Sequence, residues 1–187
     1  MAGLLRRLGG VLPSYVEIAW WGLLGIRLRR GEPLVVHQGV VLSERGVLLS
    51  VRADLRGWEL PGGNVHPGES GEETLRREVL EETGVEVEVE RRVGDYLRTG
   101  FMPHTARVYR CRPVGGTPRP SPETPAVRWF PLDRLPDTLF PWYREPLADA
   151  LADSPEPVTR HDHQGPGAVV SGMVIDLRMR ISGDRAG

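Results

Sequence analysis

The stretch LRREVLEETGV carries three glutamates, Glu78, Glu81 and Glu82, with Glu81 three and Glu82 four residues after Glu78. On a helix these separations set side chains beside one another. Two carboxylates ~6 Å apart repel by roughly 3 kcal/mol at an effective dielectric of ~20, so a sequence that gathers them either leaves them to solvent or supplies a cation. Arg77 is adjacent in the chain but leaves the helix about 100° away from Glu78, and it is not expected to be that cation. Hard divalent cations prefer clustered carboxylate oxygens, and magnesium combines a few of them with water and substrate phosphate. An ion held by such a cluster would neutralise anionic charge and acidify bound water. A solvated acidic helix face is the competing reading.

The elements that must position this cluster follow from local patterns. Composition turns helical from Glu69 to Thr83, with Leu75 and Val79 one turn apart as buried contacts and Gly84 as the C-terminal stop. Upstream, PLVVHQGVVL and VLLSVR flank the turn-like SERG and read as a hairpin. A short WEL segment then meets Pro61, Gly62 and Gly63, where regular structure should stop. Downstream, VEVEVERRV and TARVYRCRPV alternate as half-buried strands do. GGTPRPSPETP reads as a loop of the length that tends to be functional or mobile, AVRWF as a further strand and PWYREPLADALA as a helix. Pro155 and Pro157 mark a linker, and His161 and His163 in RHDHQG are read as part of it, exposed and outside any site. In GAVVSGMVIDLRMRI, residues Val169, Met173, Ile175, Leu177, Met179 and Ile181 share one face of an extended strand, expected to join the sheet or pair across a dimer.

At 187 residues the chain suits one domain with accessory segments. Its 24 basic and 25 acidic residues give a net charge of −1, so no global field draws nucleic acid and no such partner is expected. Every basic residue other than histidine is arginine, which excludes a lysine Schiff base or lysine nucleophile. A single cysteine, Cys111, forms no internal disulfide; it agrees with a reducing, cytoplasmic setting and reads as a strand or core residue. The apolar stretch VLPSYVEIAWWGLLGI is broken by Pro13 and Glu17 and falls short of the ~20 residues a spanning helix needs. It reads as a helix capped at Ser14 by Ser14 and Glu17 and ending near Gly31. Its apolar surface, with Trp20, Trp21, Leu23, Leu24 and Ile26, is expected to pack on its own domain or on a second copy in a homodimer, with peripheral membrane contact as the alternative.

Gly63, Glu69, Arg77, Glu78, Val79, Glu81, Glu82, Gly84 and Val85 stand in register at the fixed positions of the Nudix box, preceded by WELPGG, and on these residues the chain resembles the Nudix hydrolase family. The resemblance implies an α/β (α+β) fold, an α-β-α sandwich with a mixed central sheet, over residues 32–153. An accessory helix over 1–31 and a linker with a C-terminal strand extension over 154–187 would flank it. It implies magnesium or manganese ligated by Glu78, Glu81, Glu82 and the Gly63 backbone. Catalysis would fall to Glu78 or, second, Glu123 as the base that activates water, with Arg77 orienting a glutamate. Gly62, Glu69, Phe101 and Arg98 would be substrate-binding positions, with Pro61 shaping the loop. The implied substrate is a nucleoside diphosphate linked to another moiety, as in a nucleotide sugar, an ADP-ribose-like compound or a nucleoside triphosphate. Phe101, Tyr96 or Trp58 would stack on a base, and Arg98 or Arg107 would contact phosphate. Pro103 does not match the proline that the ADP-ribose subgroup carries past the box, and Phe101 stands near where the diadenosine polyphosphate subgroup carries tyrosine. Two other functions are compatible with the scaffold: a metabolite-binding module that does not cleave, and a prenyl diphosphate isomerase, which needs a catalytic cysteine where only Cys111 is on offer.

Overall fold

The computed structural model describes residues 34–100, 103–152 and 154–182, so the expected N-terminal helix and Phe101 lie outside the described residues. In chain order the elements are β1 (Val35–Ser43), β2 (Gly46–Val51), β3 (Trp58–Glu59), β4 (Gly62–Asn64), α1 (Gly71–Thr83), β5 (Val85–Gly100), β6 (His104–Gly116), β7 (Ala126–Phe130), a 3-10 turn (Pro141–Tyr143), α2 (Arg144–Leu151), β8 (Val158–Gln164) and α3 (Pro166–Ser182). The β1–β2 hairpin, the alternating strands β5 and β6, the strand at AVRWF and the helix in REPLADAL stand where the sequence patterns put them.

One mixed sheet runs in the order β3-β2-β1-β6-β5-β8, with β4 paired to β1 and β7 to β2. Strand β1 is the hub. It pairs in parallel with β6 from Val35 to Val41, and antiparallel with β4 at Val36–Gln38 and with β2 at Leu42–Ser43. Helix α1 covers one face through Leu75 and Val79, packed on Val41, Leu48, Val85, Val87, Tyr109 and Cys111. The opposite face packs Val40, Leu49, Trp58, Tyr96 and Val108 against Leu147 of α2 and Ile175 and Met179 of α3. Helices on both faces of a mixed sheet make the α-β-α sandwich. Among the described residues no helix is long and apolar enough to cross a membrane.

The C-terminal region corrects two expectations. The supposed linker around His161 and His163 is strand β8, which pairs in parallel with β5 from Gly94↔Val158 to Gly100↔Gln164. The supposed strand extension is helix α3. Its sequence satisfies both periods: Ile175 and Met179 of the alternating apolar set are also four residues apart, and with Gly172 and Asp176 they form the buried face of the helix. Pro166 at the first helical position is the signal that favours the helix. Asp176 is fully buried and anchors α3: it accepts from the Arg56 backbone N–H at 2.7 Å and from Arg180 Nε at 2.8 and 2.9 Å.

Because α3 is part of the core, Met179→Ala should cost about 2–5 kcal/mol, whereas Val170→Ala on its exposed side should stay within about 0.5 kcal/mol. Urea unfolding followed by circular dichroism measures both; equal, negligible effects would mean that α3 is not packed as described.

Candidate active site

Helix α1 begins at a reciprocal cap that the sequence reading overlooked. Ser70 Oγ accepts from the Glu73 N–H at 3.3 Å, and Glu73 Oε2 accepts from the Ser70 N–H at 2.8 Å. Glu69 therefore stands just outside the helix, free to turn toward its side. Gly84, at φ 74° and with its N–H on the Leu80 carbonyl at 2.8 Å, ends the helix as expected. Between these stops Glu78 and Glu82 approach the start of β4 at Gly62 and Gly63.

Arg77 joins the acidic residues, contrary to the expectation from its direction on the helix. Its Nε and Nη2 donate to the two carboxylate oxygens of Glu69 at 2.7 and 3.0 Å. Its Nη1 lies 2.9 Å from Glu78 Oε1 and 3.3 Å from Glu81 Oε2, and Nη2 also donates to the Asn64 carbonyl at 3.3 Å. A long side chain folding back along the helix covers the angular separation. Glu69, held by this fork and by Thr74 and the His66 N–H, has its carboxyl lowered to about 2.

Glu82 takes a different partner. Its Oε2 accepts from the Gly62 N–H at 3.0 Å. Gly62 has φ 151°, and a Cβ there would fall 2.0 Å from the His37 carbonyl oxygen, so no other residue fits between β4 and β1. At Gly63 an added Cβ would lie 2.4 Å from the Glu78 carboxyl, which shows how closely the loop backbone and Glu78 approach. Burial, against the Gly62 hydrogen bond and helped by Glu78 and Glu123, pushes the Glu82 carboxyl up to about 7.

The sequence reading missed Glu59, from the same WEL segment. It is 8% exposed and pushed up to about 8, chiefly by burial, with Arg52 opposing and Glu82 adding to the rise. Tyr143 donates to Glu59 Oε2 at 3.1 Å, and Gln38 Nε2 donates to the Tyr143 hydroxyl at 3.3 Å. Glu123 reaches the site through a pinned loop. Its carbonyl accepts from the Ala53 N–H at 2.9 Å, the Thr124 hydroxyl donates to the Glu82 carbonyl, and the Arg119 N–H bonds the Thr83 carbonyl at 2.9 Å.

Other candidates fall elsewhere. Trp58 and Tyr96 are buried core residues, which removes them as stacking platforms. Arg107 forms a fork with Asp95 at 2.9 and 3.0 Å and is a strand ion pair rather than a phosphate contact. Cys111 is fully buried beneath α1 with its thiol pushed up to about 12 by burial, so the isomerase reading loses its catalytic cysteine. His161 and His163 are exposed on β8. Arg98 is 3% exposed, on the face of the sheet opposite α1, and its guanidinium carbon lies 5.2 Å from the Tyr143 ring centroid.

Whether these residues suit a divalent ion is a matter of charge and donor type. Among the described residues no three His, Cys, Asp or Glu side chains converge closely enough to hold an ion as they stand. Arg77 engages Glu78 and Glu81, and Gly62 engages Glu82. The donors are all carboxylate or backbone oxygens, which hard cations take. One guanidinium faces the three carboxylates of Glu69, Glu78 and Glu81, so two negative charges remain uncompensated, while burial holds the neighbouring Glu59 and Glu82 partly protonated near neutral pH. The set fits a divalent cation by chemistry and by surplus charge.

The NUDIX domain profile matches residues 33–150. The chain belongs to the Nudix hydrolase family. A Streptomyces ambofaciens protein named MutT-like is 42% identical over 127 residues, covering 66% of this chain and 80% of that protein. A Bacillus subtilis strain 168 protein provisionally named an 8-oxo-dGTP diphosphatase is 35% identical over 111 residues, covering 59% of this chain and 74% of its own. Among solved structures, an ADP-ribose pyrophosphatase from Streptococcus suis 89-1591 superposes with a TM-score of 0.58 at 31% identity, over 70% of this chain and 99% of that one. Relatives named as diphosphatases and pyrophosphatases put this Nudix protein among the Nudix pyrophosphohydrolases. The match stops before β8 and α3, which lie outside it.

The raised Glu82 carboxyl fixes a sign for pH dependence. A carboxyl that binds its proton more tightly in the folded state costs stability as pH rises from its unfolded value, 4.5, through about 7. For Glu82 this cost is on the order of 3 kcal/mol, or roughly 10 °C in Tm. Metal-free protein should therefore lose Tm between pH 5 and pH 9, Glu82→Gln should lose markedly less, and excess magnesium should shrink the difference. Thermal melts in chelator read this out; identical pH slopes for both proteins would show that Glu82 is not strained by burial.

Proposed function

We propose that this Nudix protein hydrolyses the pyrophosphate linkage of a nucleoside diphosphate derivative by attack of water on phosphorus. The observation that carries the reading is the crowding of carboxyl groups at the glycines, with Glu82 on the Gly62 N–H and Glu78 against Gly63, where one guanidinium serves Glu69, Glu78 and Glu81 and burial raises the proton affinity of Glu82 and of its neighbour Glu59. A polyanionic substrate would be repelled by this set unless cations arrive with it.

Glu78, Glu81 and Glu82, with the Gly63 backbone, are the residues that would hold magnesium or manganese. When bound, such an ion supplies charge neutralisation on the phosphates and makes water easier to deprotonate. The rest falls to the chain. Gly62 and Gly63 leave backbone where a side chain would block the diphosphate. Glu69 holds Arg77 by two hydrogen bonds, and Arg77 in turn orients Glu78 and Glu81. Glu78, nearest the loop, is the first choice to take the proton from attacking water, and Glu123, brought close to Glu82 by its pinned loop, is the second. The relatives' names support a nucleotide as the substrate, with an oxidised purine nucleoside triphosphate and ADP-ribose as the two classes they print.

The engagement of Glu78 and Glu81 by Arg77 is what favours the second reading, a binding module that recognises such a metabolite without cleaving it. A panel of nucleoside triphosphates, ADP-ribose and nucleotide sugars, incubated with magnesium and analysed by chromatography, separates the two. Hydrolysis of at least one compound, lowered in kcat about a hundredfold or more by Glu78→Gln, is the expected result. Tight binding with no turnover across the panel would favour the module.

A further inference from the structure

Helix α3 has an apolar side that the core does not use. Gly172, Ile175, Asp176 and Met179 turn inward, while Val170, Val174, Leu177 and Ile181 remain 59, 44, 39 and 60% exposed. At about 100° per residue these four fall within about 60° of one another, opposite the buried set. They form a row ~16 Å long with steps of four, three and four residues, the spacing of an apolar seam between two helices. A helix that is apolar on both sides belongs beneath a cover. Asp176, Arg178 and Arg180 are the charged residues of α3, and Arg180 is engaged by Asp176, so Arg178 is the charge that flanks the outer row.

The chain enters the domain beside this row. The first described residue, Leu34, accepts at its carbonyl from the Thr105 N–H at 2.8 Å, immediately before β1. Thr105 pairs with Leu97 on β5 and Leu97 with His161 on β8, so β8 runs out into α3 at the end of the sheet where β1 starts. At its other end α3 is tied to the β2–β3 loop, through Asp176 to the Arg56 N–H and through Arg180 Nη2 to the Asp54 carbonyl at 3.0 Å. Because β2 is antiparallel to β1, it too leaves the sheet at that end. Strand β1 therefore starts between the two ends of α3.

The residues that precede Leu34 match the row. Val16, Trp20 and Leu23 repeat its four-then-three step, and Arg27 follows at the next four. In an antiparallel pair Val16 meets Ile181, Trp20 meets Leu177, Leu23 meets Val174, and Glu17 lies within a turn of Arg178. Arg27 then stands at the start of α3, where Glu145 and Asp162 share the wall of a cavity with Ala168. A parallel pair would set Arg27, Arg29 and Arg30 against Arg178, like charge against like. Arg27 and Leu34 are seven residues apart and extend to about 23 Å; a helix on the outer side of α3 stands about two helix diameters, roughly 20 Å, from the sheet. A second copy seated on four half-exposed side chains would fall short of the ~800 Å² per partner of a stable interface, whereas a tethered segment is held at high effective concentration. Both pieces lie outside residues 33–150, the extent of the family match.

We propose that the outer row of α3 is the docking face for residues 16–27 of the same chain, laid antiparallel as a second helix, so that the segments flanking the Nudix domain close on one another. Val170, facing Arg27 rather than an apolar partner, adds least to the seam.

Thiol accessibility in the full chain tests the dock, since Cys111 is buried and gives little background. Val174→Cys should react with a maleimide about tenfold or more slowly than Asp133→Cys on an exposed turn, at every protein concentration and with monomeric mass in sedimentation. Adding Trp20→Asp should bring the Val174→Cys rate up to that of the reference. Leu177→Cys repeats the reading if the first variant does not fold, and circular dichroism checks each. Equal rates in the parent background, or protection that survives Trp20→Asp, would overturn the proposal. Protection that is lost on dilution of a dimer would assign the face to a second copy instead, and protection that needs phosphatidylserine vesicles would assign it to a membrane surface; either overturns docking within the chain.

Discussion

The site depends on a single guanidinium. Arg77 bridges Glu69, which precedes the cap of α1, two glutamates within the helix and the Asn64 carbonyl of β4, so it fixes how the helix presents its acids to β4. An isolated ion pair at a surface contributes little, but a planar fork that binds Glu69 through two parallel hydrogen bonds defines an orientation as well as an attraction. Lysine, a point charge on a flexible stem, would not reproduce it. The same fork leaves the glutamates under-neutralised, so the arrangement holds its shape without satisfying its charge.

Around that fork the fold supplies approach and enclosure. The β4 glycines bring backbone against β1 and against Glu78, at spacings that any side chain would prevent. The core packing of Trp58 and Leu60 on either side of Glu59 draws that carboxyl inward, where Tyr143 and the charge of Arg52 partly compensate it. Burial thus raises the proton affinity of two carboxyls near the β4 glycines. A cation would be drawn into this field by itself, whereas an anion arriving without one would be repelled.

Much of this was legible in the sequence because it is local. The spacing from Gly63 to Val85 fixes which residues share a helix side, and the stop at Gly84 and the strands flanking the helix follow from patterns a few residues long. The illegible parts depend on distant partners. Glu59 looks like an outward polar residue in a strand of alternating pattern, and only Tyr143, 84 residues away, shows that both sides of that strand are covered. Strand β8 carries polar residues on both faces because one faces solvent and the other lines a cavity that also holds Arg98 and Glu145, so it lacks the apolar alternation by which strands are recognised. Backbone direction alone does not give the contacts of Arg77, whose long side chain reaches Glu78 and Glu81 around the helix.

Strand β8 is the outermost strand of the sheet, joined to it only through β5. An edge strand can be lengthened, exchanged or given new side chains without disturbing the pairing of β1 with β4, on which the glycine loop hangs. The chain's architecture thus separates what must stay rigid for bond breaking from what is free to diverge, and lineages that share the first part are at liberty to differ in the second.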